Sequence, residues 1–293
     1  MLDLAHITDL HLVEHNHARR RGMERHRLRY LSAGRPIDAT ARVEKALDAL
    51  RIAQRHAKHI VVTGDLTEDG TPEQFELLAE VLDRAGVDPE RITIIGGNHD
   101  GYADPAGFDR ALIGPLRRYA KHASATQPLD LGDAWLMPVR TTVVQSWLRS
   151  HGSVPAADLE RMQRLGSEAR RRQKLALVVQ HHPPQGYKSA LWNWIDGLLN
   201  ARAATSLLRA HPRLQVLHGH THKRESVQFR TGQPAQSHSG AAVVSSARNV
   251  RFYRISPEAL HPVIGPTDAS VRVGNVGRAL LPALRAQRLP SLP

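Results

Sequence analysis

Polar side chains of the kinds that bind divalent cations follow five short apolar runs in this sequence. Each run has the length of a buried strand, so each polar group is expected at the carboxyl end of a strand. In an open α/β sheet those ends meet at one edge, where side chains far apart in sequence can converge. Carboxylate, amide and imidazole groups together suit hard or borderline divalent cations. The five groups are Asp9-Leu10-His11, Gly64-Asp65, Gly97-Asn98-His99-Asp100, His181-His182-Pro183 and Gly219-His220-Thr221-His222.

The spacing within these groups has a physical reason. In the D-x-H and H-x-H groups, alternate residues of an extended segment would project to the same side and reach one cation or a pair. Gly64 and Gly97 would let the backbone turn sharply and approach the ions closely. Asp65 is the expected bridge, because two-metal phosphoryl transfer needs cations about 3.5 to 4 Å apart. One such group alone is commonly structural, but all five in order indicate a site.

These motifs resemble those of the calcineurin-like metallophosphoesterase family. The resemblance implies an α/β fold, namely a four-layer α/β/β/α sandwich of two mixed β-sheets flanked by helices, with a dinuclear metal site at the carboxyl ends of the strands. The motifs, which span residues 3 to 222, are Asp9-x-His11, Gly64-Asp65, Gly97-Asn98-His99-Asp100, Val178-x-x-His181 and Gly219-His220-x-His222. Carried over by position, the family pattern assigns one metal to Asp9, His11, Asp65 and His222, and the other to Asp65, Asn98, His181 and His220.

The resemblance also implies roles for neighbouring residues and a mechanism. His99 is similar to the family's non-ligand catalytic histidine, and Asp100 would orient it or stabilise its charge. The V-x-x-H pattern assigns the ligand role to His181, so His182 is expected either to contact a ligand without binding metal or to pack in the fold. His218 is expected to be a strand-end residue and not a ligand. The implied reaction is in-line attack on a phosphoester by a metal-bridging hydroxide, with Mn²⁺, or Fe with Mn or Zn, as the expected metals.

Strand-like and helix-like segments alternate along the chain, which is typical of a layered α/β domain. Strands are predicted at residues 2–8, 60–63, 91–95, 134–139, 175–180 and 214–217, and helices at residues 39–56, 72–85, 107–122, 155–172 and 190–210. Closely spaced antiparallel strands are predicted at residues 225–229, 241–245 and 250–255, and we expect them to supply the second sheet. The sequence favours one domain over residues 1–262 followed by a Pro-rich tail over residues 263–293.

Composition narrows the classes of protein. The 293 residues include no Cys, which excludes disulfide scaffolds, thiolate metal sites and a Cys nucleophile. No apolar run approaches the roughly 18 to 20 residues that span a bilayer, and the sequence begins with a strand-like run rather than a signal segment, so we expect a cytoplasmic protein. The net charge of +12 makes a nucleic acid or an anionic membrane a candidate partner.

Substrate specificity is expected from segments outside the shared motifs. The Arg-rich segment at residues 14–38 is expected to be either a functional loop or disordered. Its charges could bind an anionic membrane or could only be solvated. Asn98, His181-His182-Pro183-Pro184 and Gly219-His220-x-His222 together resemble the family's bacterial phosphodiesterase branch, and this resemblance implies a small phosphodiester rather than a phosphomonoester as substrate. The alternatives are a membrane-associated nucleotide-sugar-lipid pyrophosphatase and a nuclease or nucleic-acid-binding protein. Trp192 and Trp194 either cap the cleft or anchor a helix in the core, and His151 and Arg140 are further candidate substrate contacts.

Overall fold

A computed structural model describes residues 1–34, 36–123 and 127–265. The described part forms eleven strands, numbered β1 to β11, and seven α-helices, numbered α1 to α7. The strands are β1 Leu2–Ile7, β2 Ala57–Thr63, β3 Ile92–Ile95, β4 Leu129–Asp130, β5 Ala134–Pro138, β6 Leu175–Val179, β7 Leu214–His218, β8 Ser226–Val227, β9 Ser237–Ser239, β10 Arg251–Ile255 and β11 Leu260–Val263. The helices are α1 Gly22–Leu31, α2 Ala39–His56, α3 Pro72–Arg84, α4 Gly107–Ile113, α5 Ala156–Arg172, α6 Ala190–Ile195 and α7 Ala201–Ala210.

The strands form two mixed sheets. The first has the order β11-β10-β1-β2-β3, in which β1, β2 and β3 are parallel and β10 and β11 are antiparallel additions. The second has the order β4-β5-β6-β7-β9-β8, with parallel β5, β6, β7 and β9 between the antiparallel edge strands β4 and β8. The strands that precede the five polar groups are therefore all parallel, and their carboxyl ends lie along one edge.

Three hydrophobic clusters separate four layers. The middle cluster lies between the sheets and includes Leu4 and Val61 of the first sheet and Leu177 and Leu217 of the second. Another cluster joins α2, α3 and α4 to the outer face of the first sheet, and a third joins α5 and α7 to the outer face of the second. The four-layer α/β/β/α sandwich that the family resemblance implied is confirmed.

Helix α2 shows how local sequence builds one outer layer. The Asp38 carboxylate accepts a hydrogen bond from the Ala41 N–H, which satisfies a backbone donor at the helix start. Val43, Leu47 and Leu50 recur at helical spacing and are buried in the cluster beneath the helix. The helix ends directly before β2, which delivers the chain to the Gly64-Asp65 group.

The predicted origin of the second sheet is wrong. Strands β8 and β9 do join it, but β10 and β11 pair beside β1 in the first sheet. The strand predicted at residues 241–245 is absent, because the Val243 and Val244 N–H groups donate to the carbonyls of Thr8 and Asp9, at the end of β1, instead of joining a ladder. The late segments therefore extend both sheets.

Two predicted helices are shorter than expected. The helix predicted at residues 107–122 ends at Ile113, where Gly114-Pro115 follows, and a short 3₁₀ turn comes afterwards at Arg117–Tyr119. The helix predicted at residues 190–210 is divided into α6 and α7 by a turn that contains Gly197. That division places the end of α6 beside the carboxyl ends of the strands, as described below.

The basic segment at residues 14–38 is ordered wherever the structure describes it, and it contains α1. Arg20 contacts the carboxylates of Glu14 and Asp69 at 2.5 and 2.7 Å. Buried Arg27 also donates to Asp69, at 2.7 Å, so two cations of this segment are paired inside the fold. Exposed cations of the segment are Arg19, Arg21, Arg25 and Arg29.

The ordered fold extends to the edge of the predicted tail. Strand β11 ends at Val263. The rest of the Pro-rich tail from residue 266 onward, like Arg35 of the basic segment, lies outside the described residues. Among the described residues, no helix combines the length and apolar character that crossing a bilayer requires.

Candidate metal centre

The first donor group lies where β1, β2 and β7 end. The ligand atoms of Asp9, His11, Asp65 and His222 all lie within 4.8 Å of one another. His11 Nε2 is 3.8 Å from Asp65 Oδ2, and His222 Nε2 is 3.5 Å from Asp9 Oδ1. Both carboxylates are buried, so their charges face imidazoles rather than solvent. These four side chains present two carboxylates and two imidazoles to one point.

The second donor group shares Asp65 with the first. Ligand atoms of Asp65, His181 and His220 lie within 4.8 Å of one another. The Asn98 amide oxygen is 2.9 Å from His181 Nε2 and 3.1 Å from His220 Nδ1, so an amide oxygen joins this group. His181 Nδ1 lies 2.8 Å from the Thr63 carbonyl and donates to it, which leaves Nε2 free to act as a ligand. The seven ligands predicted from the motifs are therefore close together, in two groups that meet at Asp65.

Left-handed backbone conformations are concentrated at these ligands. Of seven non-Gly residues with positive φ in the described part of the chain, five are predicted ligands: Asp9 (55°), His11 (49°), Asp65 (49°), His220 (69°) and His222 (56°). Such conformations cost roughly 1 to 3 kcal/mol each and cluster at functional sites. The sequence suggested that the D-x-H and H-x-H groups are extended. The positive φ angles show that they are not. Their side chains converge through tight left-handed turns.

Two glycines make the close approach of the loops sterically feasible. At Gly97 a Cβ atom would contact both the carboxylate oxygen and the backbone nitrogen of Asp65. At Gly64, where φ is 89°, a Cβ atom would lie 2.6 Å from His181 Nδ1. Any larger residue at Gly97 would therefore displace the shared Asp65 carboxylate. This agrees with the expectation that glycine lets the backbone approach the site closely.

The charges of the site hold Asp65 ionised. Burial alone would raise the pKa of this carboxyl, but the neighbouring His181, His99 and His11 hold it well below its usual range. Burial opposes protonation of His181, yet the Asp65 carboxylate raises the pKa of that imidazole to about 9. Two buried carboxylates close together, with histidines as their ion-pair partners, form an environment that bound cations would stabilise.

Glu68 contacts two residues of the site and was missed by the sequence analysis. Its carboxylate lies 3.3 Å from His11 Nδ1 and accepts a 2.5 Å hydrogen bond from Arg42. Its backbone carbonyl lies 2.6 Å from His99 Nδ1. The only sequence signal was its position three residues after Asp65. Glu68 orients both a predicted ligand and the predicted catalytic histidine, so it supports the site from behind.

The Asp100 carboxylate binds the backbone of two neighbouring loops. One carboxylate oxygen accepts hydrogen bonds from the N–H and hydroxyl of Thr67, and the other accepts from the N–H groups of Leu66 and Gly97. Burial and the Asp65 charge raise the pKa of Asp100 to about 6, while these donors act in the opposite direction. Asp100 therefore ties the loop after β2 to the loop after β3, whereas Glu68 supplies the contact to His99.

His182 and His218 have contacts that fit the structural roles expected for them. Both ring nitrogens of His182 are engaged, with Thr141 Oγ1 and the Ser150 carbonyl each 2.8 Å away. His218 is buried, and its Nε2 lies 3.0 Å from Ser237 Oγ. His182 thereby fixes the segment that carries Ser150 next to the second donor group.

The candidate substrate contacts have different surroundings. Trp192 and Trp194 of α6 are 56% and 52% exposed, so neither anchors a helix in the core. Arg149 stacks on Trp194, with 4.8 Å between its guanidinium carbon and the ring centroid. His151 is buried, and burial together with the Arg149 charge lowers its pKa. Exposed Arg140 lines a cavity of about 350 Å³ that extends to Asn98, and it pairs with Asp109 at 2.6 Å.

The donor chemistry fits two divalent cations. Carboxylate and imidazole form the first group, and an amide oxygen with imidazoles completes the second around the shared Asp65. Fold and donors together define the class: a four-layer α/β/β/α sandwich whose sheet edge is arranged for a pair of cations, with a non-ligand histidine alongside.

Comparisons with known proteins agree with this class. The calcineurin-like phosphoesterase family model matches residues 2–224, and the chain belongs to that family. A 3',5'-cyclic-nucleotide phosphodiesterase of Nostoc sp. is 27% identical over 227 residues, covering 76% of this chain and 72% of that protein. A glycerophosphodiester phosphodiesterase of Enterobacter lignolyticus is 25% identical over 241 residues, covering 78% and 73%. A dimetal phosphatase from Danio rerio shares the fold, with a TM-score of 0.57, 14% identity and coverage of 86% and 92%.

Proposed function

We propose that this phosphoesterase is a metal-dependent phosphodiesterase that cleaves a P–O bond of a small diester. The observation that carries the proposal is the sharing of buried Asp65 by two donor groups. Such sharing suits two cations close enough to act on one phosphoryl group. The preference for a diester is supported by the two related proteins, both of which are named as phosphodiesterases.

The residues divide between binding cations and handling the substrate. Two cations at this site would neutralise phosphoryl oxygens and make a water nucleophile available near neutral pH. We propose Mn²⁺, or Fe with Mn or Zn, because these metals accept carboxylate, amide and imidazole together. Asp9, His11, Asp65 and His222 would hold one cation, and Asp65, Asn98, His181 and His220 the other.

His99 is the proposed proton donor to the leaving alkoxide. Its Nδ1 faces the Glu68 carbonyl at 2.6 Å and must carry a hydrogen, so Nε2 is the atom available to the substrate. Burial lowers the pKa of His99, although the Asp65 carboxylate acts against that effect. A phosphoryl group bound beside the ring would add negative charge and favour the imidazolium form. His99 would then release its Nε2 proton as the P–O bond breaks.

The mouth of the cleft supports a diester with a sizeable second alcohol. The exposed Trp192 and Trp194 lie on α6, and the backbone carbonyl of Asp196, the residue directly after α6, is 2.8 Å from His220 Nε2. Aromatic faces at this position could cover an organic group bonded to the phosphate. A monoester would leave this surface unused.

Hydrolysis of paired chromogenic substrates tests the proposal. We would compare bis(p-nitrophenyl) phosphate with p-nitrophenyl phosphate in Mn²⁺, Zn²⁺, Ni²⁺ or chelator, and measure bound metal. Asp65→Asn should abolish diester turnover, whereas Asp133→Asn, at an exposed residue, should retain it. Faster monoester turnover would refute the diester preference, and a wild-type protein that binds no metal would refute the function.

One observation favours a second candidate, a peripheral cytoplasmic enzyme acting on a nucleotide-sugar lipid. On α1, Met23 and Tyr30 are 66% and 53% exposed, and exposed Arg25 and Arg29 accompany them, which suits an anionic membrane surface. Sedimentation with anionic vesicles should then depend on these residues, and Met23→Ser with Tyr30→Ser should release the protein. Retention of a nucleic acid in a salt-dependent gel shift, without vesicle binding, would instead favour the nuclease alternative.

A further inference from the structure

Asp196 contacts the predicted ligand His220 but belongs to none of the motifs. It follows α6, and its carboxylate oxygen Oδ1 lies 3.1 Å from His220 Nε2. Its backbone carbonyl lies 2.8 Å from the same nitrogen. One residue therefore presents two acceptors to one ring atom.

These contacts determine which nitrogen of His220 carries the hydrogen. A carbonyl and a carboxylate can only accept, so His220 Nε2 must donate to them. In the neutral ring, Nδ1 then has the lone pair that a cation needs. That atom is the one that faces the second donor group, 3.1 Å from the Asn98 amide oxygen. The tautomer enforced by Asp196 is thus the one that the second metal position requires.

Asp196 is itself held in place by two side chains from separate segments. Tyr187 donates its hydroxyl to Oδ2 at 2.6 Å, and the Ser150 hydroxyl donates to Oδ1. The residue is therefore a carboxylate with a fixed orientation, as in the carboxylate–histidine pairs that support metal ligands.

We propose that Asp196 is a positioning residue that holds His220 as the Nε2–H tautomer and thereby sets the affinity of the second metal position. The proposal rests on the proposed function, because it assigns that position a cation. Helix α6 ends at Ile195, directly before this residue. The turn after Ile195 brings the Asp196 carbonyl and carboxylate together against one imidazole.

Metal titration of three variants tests the proposal. Asp196→Ala should weaken one of two Mn²⁺ sites by roughly 10- to 100-fold, the usual cost of losing such a partner, and leave the other unchanged. Asp196→Asn keeps an acceptor for His220 and should weaken that site by about tenfold or less. Tyr187→Phe removes a hydrogen bond to Asp196 without touching His220, so both affinities should stay within about threefold of the wild type.

A second readout needs no metal. Long-range ¹H–¹⁵N spectra of the histidine-labelled, metal-free protein distinguish imidazole tautomers, and His220→Gln would assign the signal. The wild type should show the Nε2–H form at His220, and Asp196→Ala, which loses the carboxylate but keeps the backbone carbonyl at 2.8 Å, should show a measurable share of the Nδ1–H form. This measurement separates the two hypotheses, because a wild type that binds no metal would refute the proposed function while the tautomer signal still reports on Asp196.

Two results would overturn the role of Asp196. Wild-type affinities and tautomer in Asp196→Ala would show that the carboxylate of Asp196 does not position His220. Equal weakening of both metal positions together with a lower melting temperature of the metal-free protein would show that Asp196 merely stabilises the fold around α6.

Discussion

Acid should destabilise the metal-free protein through two histidines that are buried away from the metal centre. His59 of β2 has its Nε2 2.9 Å from Thr93 Oγ1, and burial lowers its pKa to about 3. His238 of β9 lies between Ser226 Oγ at 3.0 Å and Gln215 Oε1 at 3.2 Å. Burial, aided by the Arg251 charge, lowers the pKa of His238 to about 3.

The sign and size of the effect follow from proton linkage. An unfolded histidine binds a proton near pH 6.5, whereas each of these two does so only near pH 3 in the fold. The stability that each contributes is therefore present above pH 6.5 and falls by about 1.4 kcal/mol per pH unit below it. At pH 4 the loss is about 3 kcal/mol for each. The pair alone would remove a large part of the roughly 5 to 15 kcal/mol typical of a domain.

Urea unfolding with chelator at pH 7, 6 and 5 measures this dependence. His59→Gln and His238→Gln should each reduce the slope of unfolding free energy against pH by about 1.4 kcal/mol per unit below pH 6, and the double variant by twice that. The control His15→Gln, at an exposed position, should keep the wild-type slope. The slope matters rather than the free energy at one pH, because each variant also loses hydrogen bonds. Variants that retain the wild-type slope would refute the assignment of neutral buried histidines.

Three further changes test the site and its rim. Gly97→Ala should lower metal affinity and kcat by at least about tenfold, because its Cβ would contact the Asp65 carboxylate, whereas Gly101→Ala, with nothing within 4 Å, should change neither. His99→Gln should lower kcat by roughly 10² to 10⁴ with full metal content, and a parallel loss of metal would contradict a proton-donor role. Trp194→Ala should raise KM for an aryl diester by about 3- to 10-fold but not for dimethyl phosphate, and equal KM changes would argue against a contact with the second alcohol.

The sequence was informative wherever an apolar run ended in a polar group. The strands before Asp9, Asp65 and His181 are parallel and buried, so their carboxyl ends meet at one edge, and the convergence of these polar groups was predictable for that reason. The four-layer arrangement itself was implied by the family resemblance. Each ligand was visible because a strand end is marked locally by the change from apolar to polar residues. The grouping around Asp65 came from the family resemblance, and the structure brings the same side chains together.

What could not be predicted depends on contacts between distant segments. Helix α1 was missed because its segment has few apolar residues and is held by Arg20 and Arg27 on Asp69, a partner more than 40 positions away. Residues 241–245 have strand composition, but the backbone of this segment bonds to the end of β1. Glu68 and Asp196 belong to no sequence motif. Each supports the site by contacting the imidazole of a predicted ligand, and such a contact between distant residues cannot be recognised from the sequence.

The left-handed backbone of the ligands connects the fold to the site. Asp9, Asp65 and His220 would not keep positive φ in an isolated loop, since each such conformation costs energy that only surrounding contacts can offset. The contacts come from both sheets: Asp100 binds the loops after β2 and β3 together, and the His220 N–H lies 3.3 Å from Asp9 Oδ1 across the sheets. Contacts from both sheets therefore hold the ligand loops in the conformations that bring the donor atoms together.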